Sequence, residues 1–536
     1  MTVGYDFRER GLWRDTTVVD DLLTLARDAP TRTAVVTCYW SQPGRPPVAL
    51  TYAELAARVD RAAAGFVELG VGAGDRVAML FTNSWQATVT ALACARIGAV
   101  VMPVFVATGA AEVLALLRHA EASVVCAPDW HGEQAVGAPI AAARGEVPSL
   151  RHVFVDGDPV PDGALSFADH LLGTPWEADL DARRPGGDDP FQVMYTSGTS
   201  GTPKGVLHSH NTLYAATRAY TVPMGFGPGD VLLTPMAVGG QAGFLYGLMA
   251  PLVAGGTAVW GDRLRTPEML DSMRDYRVTG VYTLPSIAEE MIEEYRKTPR
   301  ELALRHLVAG SAPIPATLPA EVRDTFGVAL TPLWGMTENG GVTIGRADDD
   351  WDEATRSDGR PVDGMDVRVV DESGVPVPAG TAGSLQIRGA NQCLGYYRAD
   401  GAYAANLVDG GWFVTGDLAR VDERGAVKIV GRLVDEVKRD GLVIPVPVVE
   451  DALRTHPAVR EVALVGEPDR ALGQRTVAFV VPDGDPPTRE SLGDAVAAAG
   501  LNPLYRPDRV EYLDALPRNP AGKVLRRELR DRLAGG

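Results

Sequence analysis

Cysteine is scarce in this chain of 536 residues, which contains only four of them. Cys38, Cys94, Cys126 and Cys393 stand far apart, so their spacing indicates neither a metal site nor a disulfide framework. The eight histidines show no zinc-binding pattern either. We therefore expect the cysteines to fill the core of a protein kept in a reducing compartment, the cytoplasm.

An excess of basic charge is also missing, because 69 acidic residues outnumber 51 basic ones and give a formal net charge of −18. Phosphate backbones repel such a chain, which argues against nucleic acid as a partner. The most apolar run, residues 97–111, is too short to cross a bilayer and contains Pro103, so we expect a buried strand there and no membrane span. Residues 6–10 are charged where a signal peptide would require an apolar core.

The chain is too long for one hydrophobic core and should divide into at least two domains. A helical stripe over residues 51–69 is followed by alternating short apolar runs and helix patterns, the rhythm of layered α/β architecture. From residue 366 the pattern changes to short strands separated by turns, which indicates a small β-subdomain. We predict a large domain of layered α/β subdomains plus this β-subdomain over residues 1–431, and a small α+β domain over residues 432–536.

Residues 195–206 concentrate hydroxyl groups, glycines and one lysine in a single short stretch. Glycines let successive backbone N–H groups turn toward one anion, hydroxyls add donors, and a lysine adds a point charge. A strand is predicted over residues 191–195 and a helix over residues 211–220, so we expect a phosphate-binding loop between strand and helix. The candidate ligands are Thr196, Ser197, Gly198, Thr199, Ser200, Gly201 and Lys204.

This loop differs from the phosphate loop of the common nucleotide-hydrolysing enzymes. That loop requires a Gly-Lys-Ser/Thr sequence, whereas Lys204 lies between Pro203 and Gly205. An ordinary surface loop of Gly, Ser and Thr is the plain alternative. The sequence also leaves open whether the two histidines after the loop, His208 and His210, line a pocket or face solvent.

Five further stretches follow this loop in a fixed order, and together with it they resemble the motifs of the adenylate-forming superfamily. That superfamily includes acyl- and aryl-CoA synthetases, peptide-synthetase adenylation domains and luciferases. The resemblance covers nearly the whole chain, and motifs in one fixed order are far more specific than any of them singly. The five stretches are residues 310–313, 334–338, 411–417, 431–432 and 517–523.

The resemblance implies an ATP site and a role for each matching residue. Trp334 would stack on adenine, Thr337 would bind the α-phosphate, and Glu338 would hold Mg²⁺, which prefers oxygen ligands. Asp417 would accept hydrogen bonds from the ribose hydroxyls, and Arg432 would reach the ribose or phosphate region. The remaining implied nucleotide contacts are Gly310, Ser311, Ala312, Pro313, Gly335 and Met336.

Lys523 would complete the first half-reaction, since a carboxylate attacking the α-phosphorus builds negative charge that a lysine can neutralise. In the superfamily the small C-terminal domain is mobile and rotates near the position of Arg432 to present a second face for thioester formation with CoA. Two departures bear on that step. Val434 replaces the usual Asp or Lys, and Leu442 with Val443 replaces a Glu-Asn pair.

The predicted acid pocket follows Pro235, where small residues replace the aromatic or histidine of many relatives. The composition of this segment is apolar, which favours a hydrophobic or aromatic carboxylic acid. The predicted lining is Met236, Ala237, Val238, Gly239, Gly240, Gln241, Phe244, Gly340 and Gly341.

The resulting expectation is an ATP- and Mg²⁺-dependent acid–CoA ligase. One alternative keeps adenylation but changes the acceptor to a carrier-protein thiol or to an amine that attacks an activated oxyacid such as nitrite. Another is a catalytically silent nucleotide-binding relative, against which the joint presence of Lys204, Glu338, Asp417, Arg432 and Lys523 argues.

Overall fold

The fold is taken from a computed structural model, which describes residues 6–196, 204–346, 349–432, 437–439, 442–470, 472–518 and 524–534. Within those ranges the two main sheets are mostly parallel in their interiors, and helices cover and separate them. The predicted layered α/β architecture is confirmed.

The first main sheet has nine strands among the described residues. Its central strands are parallel, and antiparallel strands close it at both edges. In spatial order the strands are Arg360–Pro361, Gly340–Ile344, Leu330–Met336, His306–Gly310, Gly280–Thr283, Val231–Leu233, Thr257–Gly261, Thr33–Cys38 and Val48–Thr51.

The second main sheet has eight strands within the described ranges. Its interior strands are parallel, and its antiparallel edge lies next to the predicted phosphate loop. In spatial order the strands are Gly395–Tyr396, Lys204–Ser209, Pro190–Thr196, Val100–Pro103, Arg76–Met79, Ala122–Pro128, His152–Asp156 and Leu165–Ser166.

The predicted strand–loop–helix arrangement around the phosphate loop is wrong in one respect. The strand Pro190–Thr196 pairs with an antiparallel strand, Lys204–Ser209, before the helix His210–Thr221 begins. The second strand forms because Val206 can be buried while its backbone pairs with strands on both sides. The loop therefore connects two antiparallel strands, and Lys204 is the first residue of the second one.

The helices include two that lie between the main sheets. The helix Trp85–Ile97 is buried at every position after its first residue and contacts strands of both sheets, as does the helix His210–Thr221. A helix that is apolar on all sides is expected in such a middle layer. The other α-helices are Val18–Asp28, Tyr52–Glu68, Ala110–Ala120, Gly137–Ala142, Ala250–Ala254, Thr266–Asp275, Pro285–Lys297, Leu318–Phe326, Glu353–Arg356, Asp400–Ala404, Val446–Arg454, Arg489–Ala498 and Arg526–Ala534.

Shorter helical forms and one hairpin complete this part of the chain. The segments Phe167–Leu172 and Gly243–Met249 have π-helical hydrogen bonding. The remaining short elements are the 3₁₀ turns Arg144–Glu146, Asp181–Arg183 and Pro503–Tyr505 and the hairpin strands Trp130–His131 and Gln134–Ala135.

The predicted β-subdomain is present as a five-stranded antiparallel sheet within the described residues. Its strands are Met365–Val370, Gly383–Gly389, Leu407–Val408, Trp412–Val421 and Val427–Arg432.

The C-terminal part of the chain forms a separate α+β unit with its own apolar clusters, which contain no residue before Val437. We keep the boundary at residues 431 and 432 as a proposal. The strands of this unit are Val437–Arg439, Leu442–Ile444, Val459–Asp469, Gly473–Pro482 and Arg509–Tyr512.

Two expectations about composition can be compared with the fold. All four cysteines are buried, so their predicted place in the core is confirmed. Among the residues that the structure describes, no helix is both long and apolar enough to cross a membrane. The apolar run of residues 97–111 was expected to be a single strand, but only Val100–Pro103 is one.

Candidate functional site

Two of the predicted site residues, Glu338 and Lys204, are linked through a tyrosine that the sequence analysis did not single out. The Tyr396 hydroxyl donates a hydrogen bond of 2.7 Å to Oε1 of Glu338, whose residue is only 8% exposed. The ammonium nitrogen of Lys204 lies 5.1 Å from the centroid of the Tyr396 ring, within the range of a cation–π contact. Burial, together with the negative charge of Glu338, raises the pKa of Tyr396, so the hydroxyl keeps its proton and remains a donor.

Strand pairing explains why these groups meet. Gly395–Tyr396 pairs antiparallel with Lys204–Ser209, so that Tyr396 lies opposite Val206 and close to the start of that strand. The backbone N–H of Cys393 donates to the carbonyl of Glu338 at 2.8 Å. Residues far apart in the chain are thus held together by backbone hydrogen bonds on both sides of Tyr396.

His208 fixes the backbone of Thr337, the predicted α-phosphate ligand. Its Nε2 lies 2.8 Å from the Thr337 carbonyl, which can only accept, so Nε2 carries the proton. Its Nδ1 lies 2.9 Å from Oγ1 of Thr212. Burial lowers the pKa of His208 to about 4, so the imidazole is neutral at physiological pH.

Neither histidine after the loop faces solvent, which removes one of the two alternatives left open by the sequence. His208 and His210 are both buried. His210 stacks on Phe191 with ring centroids 4.4 Å apart and an interplanar angle of 5°. Burial also lowers the pKa of His210, to about 3.

The two predicted adenine-binding segments are neighbours in the first sheet. The strand ending at Gly310 is parallel to the strand that carries Trp334, and Gly310 lies opposite Leu333. A Cβ on Gly310 would stand 2.3 Å from the Leu333 carbonyl oxygen, so only glycine permits this approach. Ser311 has a positive φ of 65°, and its hydroxyl lies 2.9 Å from the hydroxyl of Tyr282.

The solvent exposure of side chains in the two adenine-binding segments is compatible with a nucleotide bound over them. Ser311, Ala312 and Pro313 are exposed, and Trp334 is partly exposed, as are Gly335 and Met336 after it. A flat aromatic side chain that keeps one face accessible beside exposed small residues can stack on a base.

Glycines shape the turn that carries Glu338. A strand irregularity after Trp334 places Gly335 opposite Gly341, and a Cβ on Gly335 would stand 1.9 Å from the carbonyl oxygen of Gly340. Gly340 itself has a positive φ of 57°, which a residue with a side chain rarely adopts. The turn therefore depends on glycine for a steric reason.

Asp417 and Arg432, the predicted ribose-region residues, form an ion pair within the β-subdomain. They lie opposite each other on the antiparallel strands Trp412–Val421 and Val427–Arg432. Nε of Arg432 is 2.8 Å from Oδ1 of Asp417, and the aspartate is buried while the arginine is partly exposed. Their pairing fixes the orientation of the carboxylate that the resemblance assigns to the ribose.

The predicted acid-pocket segment is held by a residue that the sequence analysis missed. Asn83 donates through Nδ2 to the Met236 carbonyl at 2.9 Å and accepts from the Val238 N–H at 2.7 Å. A Cβ on Gly239 would stand 2.7 Å from the backbone at Val104. This glycine therefore permits close packing of two backbones and does not open a space beside the chain.

The remaining predicted lining residues differ in exposure. Gln241, Phe244, Gly340 and Gly341 are buried, whereas Ala237 is exposed. A Cβ added to Gly240 would stand 2.9 Å from the ring of Phe105. The structure thus brings Gly340 and Gly341 to the Glu338 turn, and it brings Gly239 and Gly240 to residues 104–105.

Several predicted site residues lie outside the described part of the chain, namely Ser197, Gly198, Thr199, Ser200, Gly201, Val434 and Lys523. Thr196 is described and is the last residue of its strand, opposite Lys204. The assignments of all these residues remain predictions.

The described residues fit a magnesium–ATP site in which the metal ion would be bound partly by protein carboxylates and partly by the phosphates of ATP. No group of three or more metal-ligating side chains occurs within the described ranges, so these side chains do not build a metal cage by themselves. Mg²⁺ in such enzymes is commonly held by one or two carboxylates and completed by phosphate oxygens and water. Glu338, a buried carboxylate that shares Tyr396 with Lys204, suits that arrangement.

Family models match most of the chain. The model described as AMP-binding enzyme matches residues 24–397, and the model described as AMP-binding enzyme C-terminal domain matches residues 448–523. The two matches follow the order of the predicted domains, although neither defines where one domain ends.

Individual proteins are similar over nearly the full length. Triostin synthetase I of Streptomyces triostinicus is 34% identical over 98% of this chain and 96% of its own. The medium-chain fatty-acid–CoA ligase of Escherichia coli strain K12 is 30% identical over 98% of this chain and 93% of its own. The crystal structure of the anthranilate CoA ligase AuaEII in complex with anthranoyl-AMP has a TM-score of 0.86 and 25% identity, and covers 97% of this chain and 98% of its own.

Proposed function

Because this chain belongs to the AMP-binding enzyme family and is an AMP-forming ligase, we propose that it adenylates a hydrophobic or aromatic carboxylic acid with ATP and then transfers the acyl group to CoA. The observation that carries the proposal is the cluster of Glu338, Tyr396 and Lys204, in which a buried carboxylate and a cation meet at one tyrosine. Such a cluster serves phosphate and its metal ion better than it serves folding, since burying charge is costly.

In the first half-reaction the carboxylate of the acid attacks the α-phosphorus of ATP, and pyrophosphate leaves. Lys204, at the start of its strand, would face the departing phosphates and offset their charge. Thr337 would donate to an α-phosphate oxygen, and its main chain is held in place by the neutral imidazole of His208. Mg²⁺ held by Glu338 would supply charge neutralisation between phosphate oxygens.

The nucleoside would be held by the segments on the first sheet and by the β-subdomain. Adenine would lie on Trp334 beside residues 310–313, and the ribose hydroxyls would donate to Asp417. The ion pair with Arg432 orients the carboxylate of Asp417, which can accept from both hydroxyls. Lys523, carried by the C-terminal domain, would neutralise charge on the attacking carboxylate and the α-phosphate.

In the second half-reaction the thiol of CoA attacks the acyl carbon of the adenylate, and AMP leaves. We propose that the C-terminal unit, residues 432–536, rotates between the two half-reactions about the Arg432 region. The relatives named as CoA ligases support CoA as the acceptor.

A second candidate function keeps the adenylation step and changes the acceptor to a carrier-protein thiol or an amine. It is favoured by the sequence around the proposed hinge, where Val434, Leu442 and Val443 replace polar residues of CoA-dependent relatives. The similarity to Triostin synthetase I, which is not named as a CoA ligase, also supports it.

The test is ATP–pyrophosphate exchange with a panel of aromatic, alicyclic and medium-chain acids, followed by mass spectrometry of the products with and without CoA. We expect exchange with at least one acid and formation of its acyl-CoA. Exchange without acyl-CoA would overturn the CoA step and favour the altered acceptor. No exchange with any acid would overturn adenylation and favour a silent nucleotide-binding relative.

A further inference from the structure

A short stretch before the first helix, residues 6–17, contacts parts of the molecule that are distant in the chain. The backbone N–H of Leu12 donates to the carbonyl of Phe7 at 2.8 Å, which closes a compact turn. Both side chains are buried in one apolar cluster with Ala215 and Ala390. Long-range packing therefore holds this stretch, which we call the N-terminal segment, in a defined place.

Packing rather than charge anchors the N-terminal segment beside the β-subdomain. The ion pair of Arg10 with Asp363 joins two exposed side chains, and such pairs contribute little to stability. Leu12 fills the space next to Gly364, where an added Cβ would stand 2.5 Å from Cδ1 of the leucine. A buried leucine at a position that excludes a neighbouring side chain fixes the segment more firmly than the exposed ion pair does.

Trp13 makes the contact of this segment that leads toward the candidate site. Its indole Nε1 donates a 3.0 Å hydrogen bond to the carbonyl of Ala390, and its ring centroid lies 5.0 Å from that of Phe7. The N–H of Ala390 donates to the carbonyl of Gly364 at 2.9 Å. The backbone of Ala390 is thus held on both sides, and the N-terminal segment supplies one of the two bonds.

The residues that follow Ala390 hold the turn that carries Glu338. Nδ2 of the fully buried Asn391 donates to the carbonyl of Gly341 at 2.8 Å. The N–H of Cys393 donates to the carbonyl of Glu338, also at 2.8 Å. Two backbone carbonyls of the turn are therefore fixed from the same short stretch of chain.

Tyr396 belongs to this stretch, residues 390–396, and acts on the side chain of the glutamate. Its hydroxyl donates to the Glu338 carboxylate at 2.7 Å. A shift of the backbone at Ala390 would move the tyrosine a few residues later, and hydrogen bonds weaken quickly when their geometry changes. The bond from the Trp13 indole is therefore connected to the proposed magnesium ligand through residues 390–396.

From these contacts we propose that Trp13 is a positioning residue for the Mg²⁺–ATP site. Its hydrogen bond to Ala390 sets the place of residues 390–396 and, through the Tyr396 hydroxyl, the orientation of the Glu338 carboxylate. The inference rests on the proposed adenylating function and adds to it a residue that lies outside the motifs of the sequence. Groups that orient a metal ligand contribute to metal affinity, so the effect of Trp13 falls on Mg²⁺ binding and not on binding of the acid.

The test variant is Trp13→Phe, which keeps an aromatic ring beside Phe7 and removes the Nε1–H donor. The measured quantity is the free Mg²⁺ concentration that gives half the maximal rate of ATP–pyrophosphate exchange in the full-length enzyme. We expect this concentration to rise about threefold while KM for the acid stays unchanged. An unchanged Mg²⁺ requirement would overturn the inference.

The matched control is Trp176→Phe. The Trp176 indole is also partly buried and also donates to backbone carbonyls, those of His170 and Leu171, both at 3.1 Å. Loss of this donor should leave the Mg²⁺ requirement at the value of the parent. An equal rise in the two variants would show a general effect of lost packing and would overturn the positioning role.

A double variant tests the route through Tyr396. In the Tyr396→Phe background the carboxylate has already lost the donor through which Trp13 acts. Adding Trp13→Phe should therefore cause little further rise in the Mg²⁺ requirement, because changes that act through one shared contact are not additive. A second, full threefold rise would overturn this route.

Hydrogen–deuterium exchange gives a readout that requires neither metal nor turnover. Mass spectrometry follows the peptide that contains the Cys393 amide, whose N–H is bonded to Glu338. This peptide should exchange faster in Trp13→Phe than in the parent and at the parental rate in Trp176→Phe. Equal protection in all three proteins would overturn the inference, whereas absence of pyrophosphate exchange in the parent would refute only the proposed function.

Discussion

The hydroxyl of Tyr396 donates a 2.7 Å hydrogen bond to the carboxylate of Glu338, 58 residues earlier in the chain. This bond occupies one oxygen of Glu338 and limits the rotation of a side chain that the proposed mechanism needs for Mg²⁺. Because the same tyrosine ring lies beneath Lys204, its position also couples the carboxylate to the strand that follows the phosphate loop. Groups that hold a metal ligand in orientation commonly contribute as much as tenfold or more to activity.

Replacing Tyr396 with phenylalanine should therefore lower ATP–pyrophosphate exchange about tenfold while raising the Mg²⁺ concentration needed for half the maximal rate. The ring and its contact with Lys204 remain in this variant, and only the donor to Glu338 is lost. Exchange measured over a range of free Mg²⁺ checks both effects.

The matched control for Tyr396 is its neighbour Tyr403, whose ring lies 5.3 Å away and whose hydroxyl contacts Gln392 and Cys393. Tyr403→Phe should leave the Mg²⁺ requirement unchanged. If the two variants respond to Mg²⁺ in the same way, Tyr396 does not position the carboxylate of Glu338.

Lys523→Ala should abolish ATP–pyrophosphate exchange and spare thioester formation from preformed acyl-adenylate. A lysine that neutralises the charge of the first step is not required when that step has already been completed. Both half-reactions can be followed separately by radiolabel exchange and by mass spectrometry. The control is Arg527→Ala, on the exposed side of the last helix, which should affect neither half-reaction. Normal exchange in Lys523→Ala would show that Lys523 is not needed for adenylation.

His208 should make folding stability depend on pH. Its pKa is lowered from its ordinary value of 6.5 to about 4 by burial, so between these values the unfolded chain binds a proton that the folded chain does not. The stabilisation is fully present above pH 6.5 and is lost as the pH falls toward 4. From pH 7 to pH 5 the loss from this residue amounts to about 2 kcal/mol.

The variant His208→Gln keeps an N–H donor for the Thr337 carbonyl and removes the titrating group. Urea unfolding at pH 7 and pH 5 should give a smaller difference in the free energy of unfolding than in the parent, by about 2 kcal/mol. His119→Gln, at an exposed position, serves as the control. An equal pH dependence in His208→Gln and the parent would contradict the assignment.

Gly335→Ala should destabilise the protein by about 2 kcal/mol or more and abolish exchange. The added Cβ would stand 1.9 Å from the Gly340 carbonyl oxygen, so the turn that carries Glu338 must shift. Gly227→Ala is the matched control, because a Cβ there meets no atom within 4 Å. Urea unfolding measures the difference, and equal stability of the two variants would show that the turn tolerates a side chain.

The spacing of apolar residues predicted much of the regular structure, because it reflects which face of a helix or strand is buried. The helical stripe over residues 51–69 corresponds to the helix Tyr52–Glu68, and the strand predicted over residues 191–195 corresponds to Pro190–Thr196. The strand Lys204–Ser209 was missed, since its mixed sequence of Lys, Gly, Val, Leu, His and Ser carries no clear alternation. Its existence depends on pairing with strands from both sides of it.

The site residues also divide into those that a sequence motif indicates and those that only tertiary contacts identify. Glu338, Asp417 and Lys204 stand in motifs that the sequence displays, whereas Tyr396 and Asn83 bind partners that are distant in the chain. No local pattern marks a tyrosine whose hydroxyl meets a carboxylate 58 residues away.

The sequence by itself determined the family, the adenylation chemistry and the order of the motifs, since these depend on residue types at fixed spacing. Only the tertiary structure decided which groups meet: the Tyr396 hydroxyl at Glu338 and the His208 imidazole at Thr337. The physical reason is that hydrogen bonds and close packing act over distances of about 3 Å in space, whatever the separation along the chain.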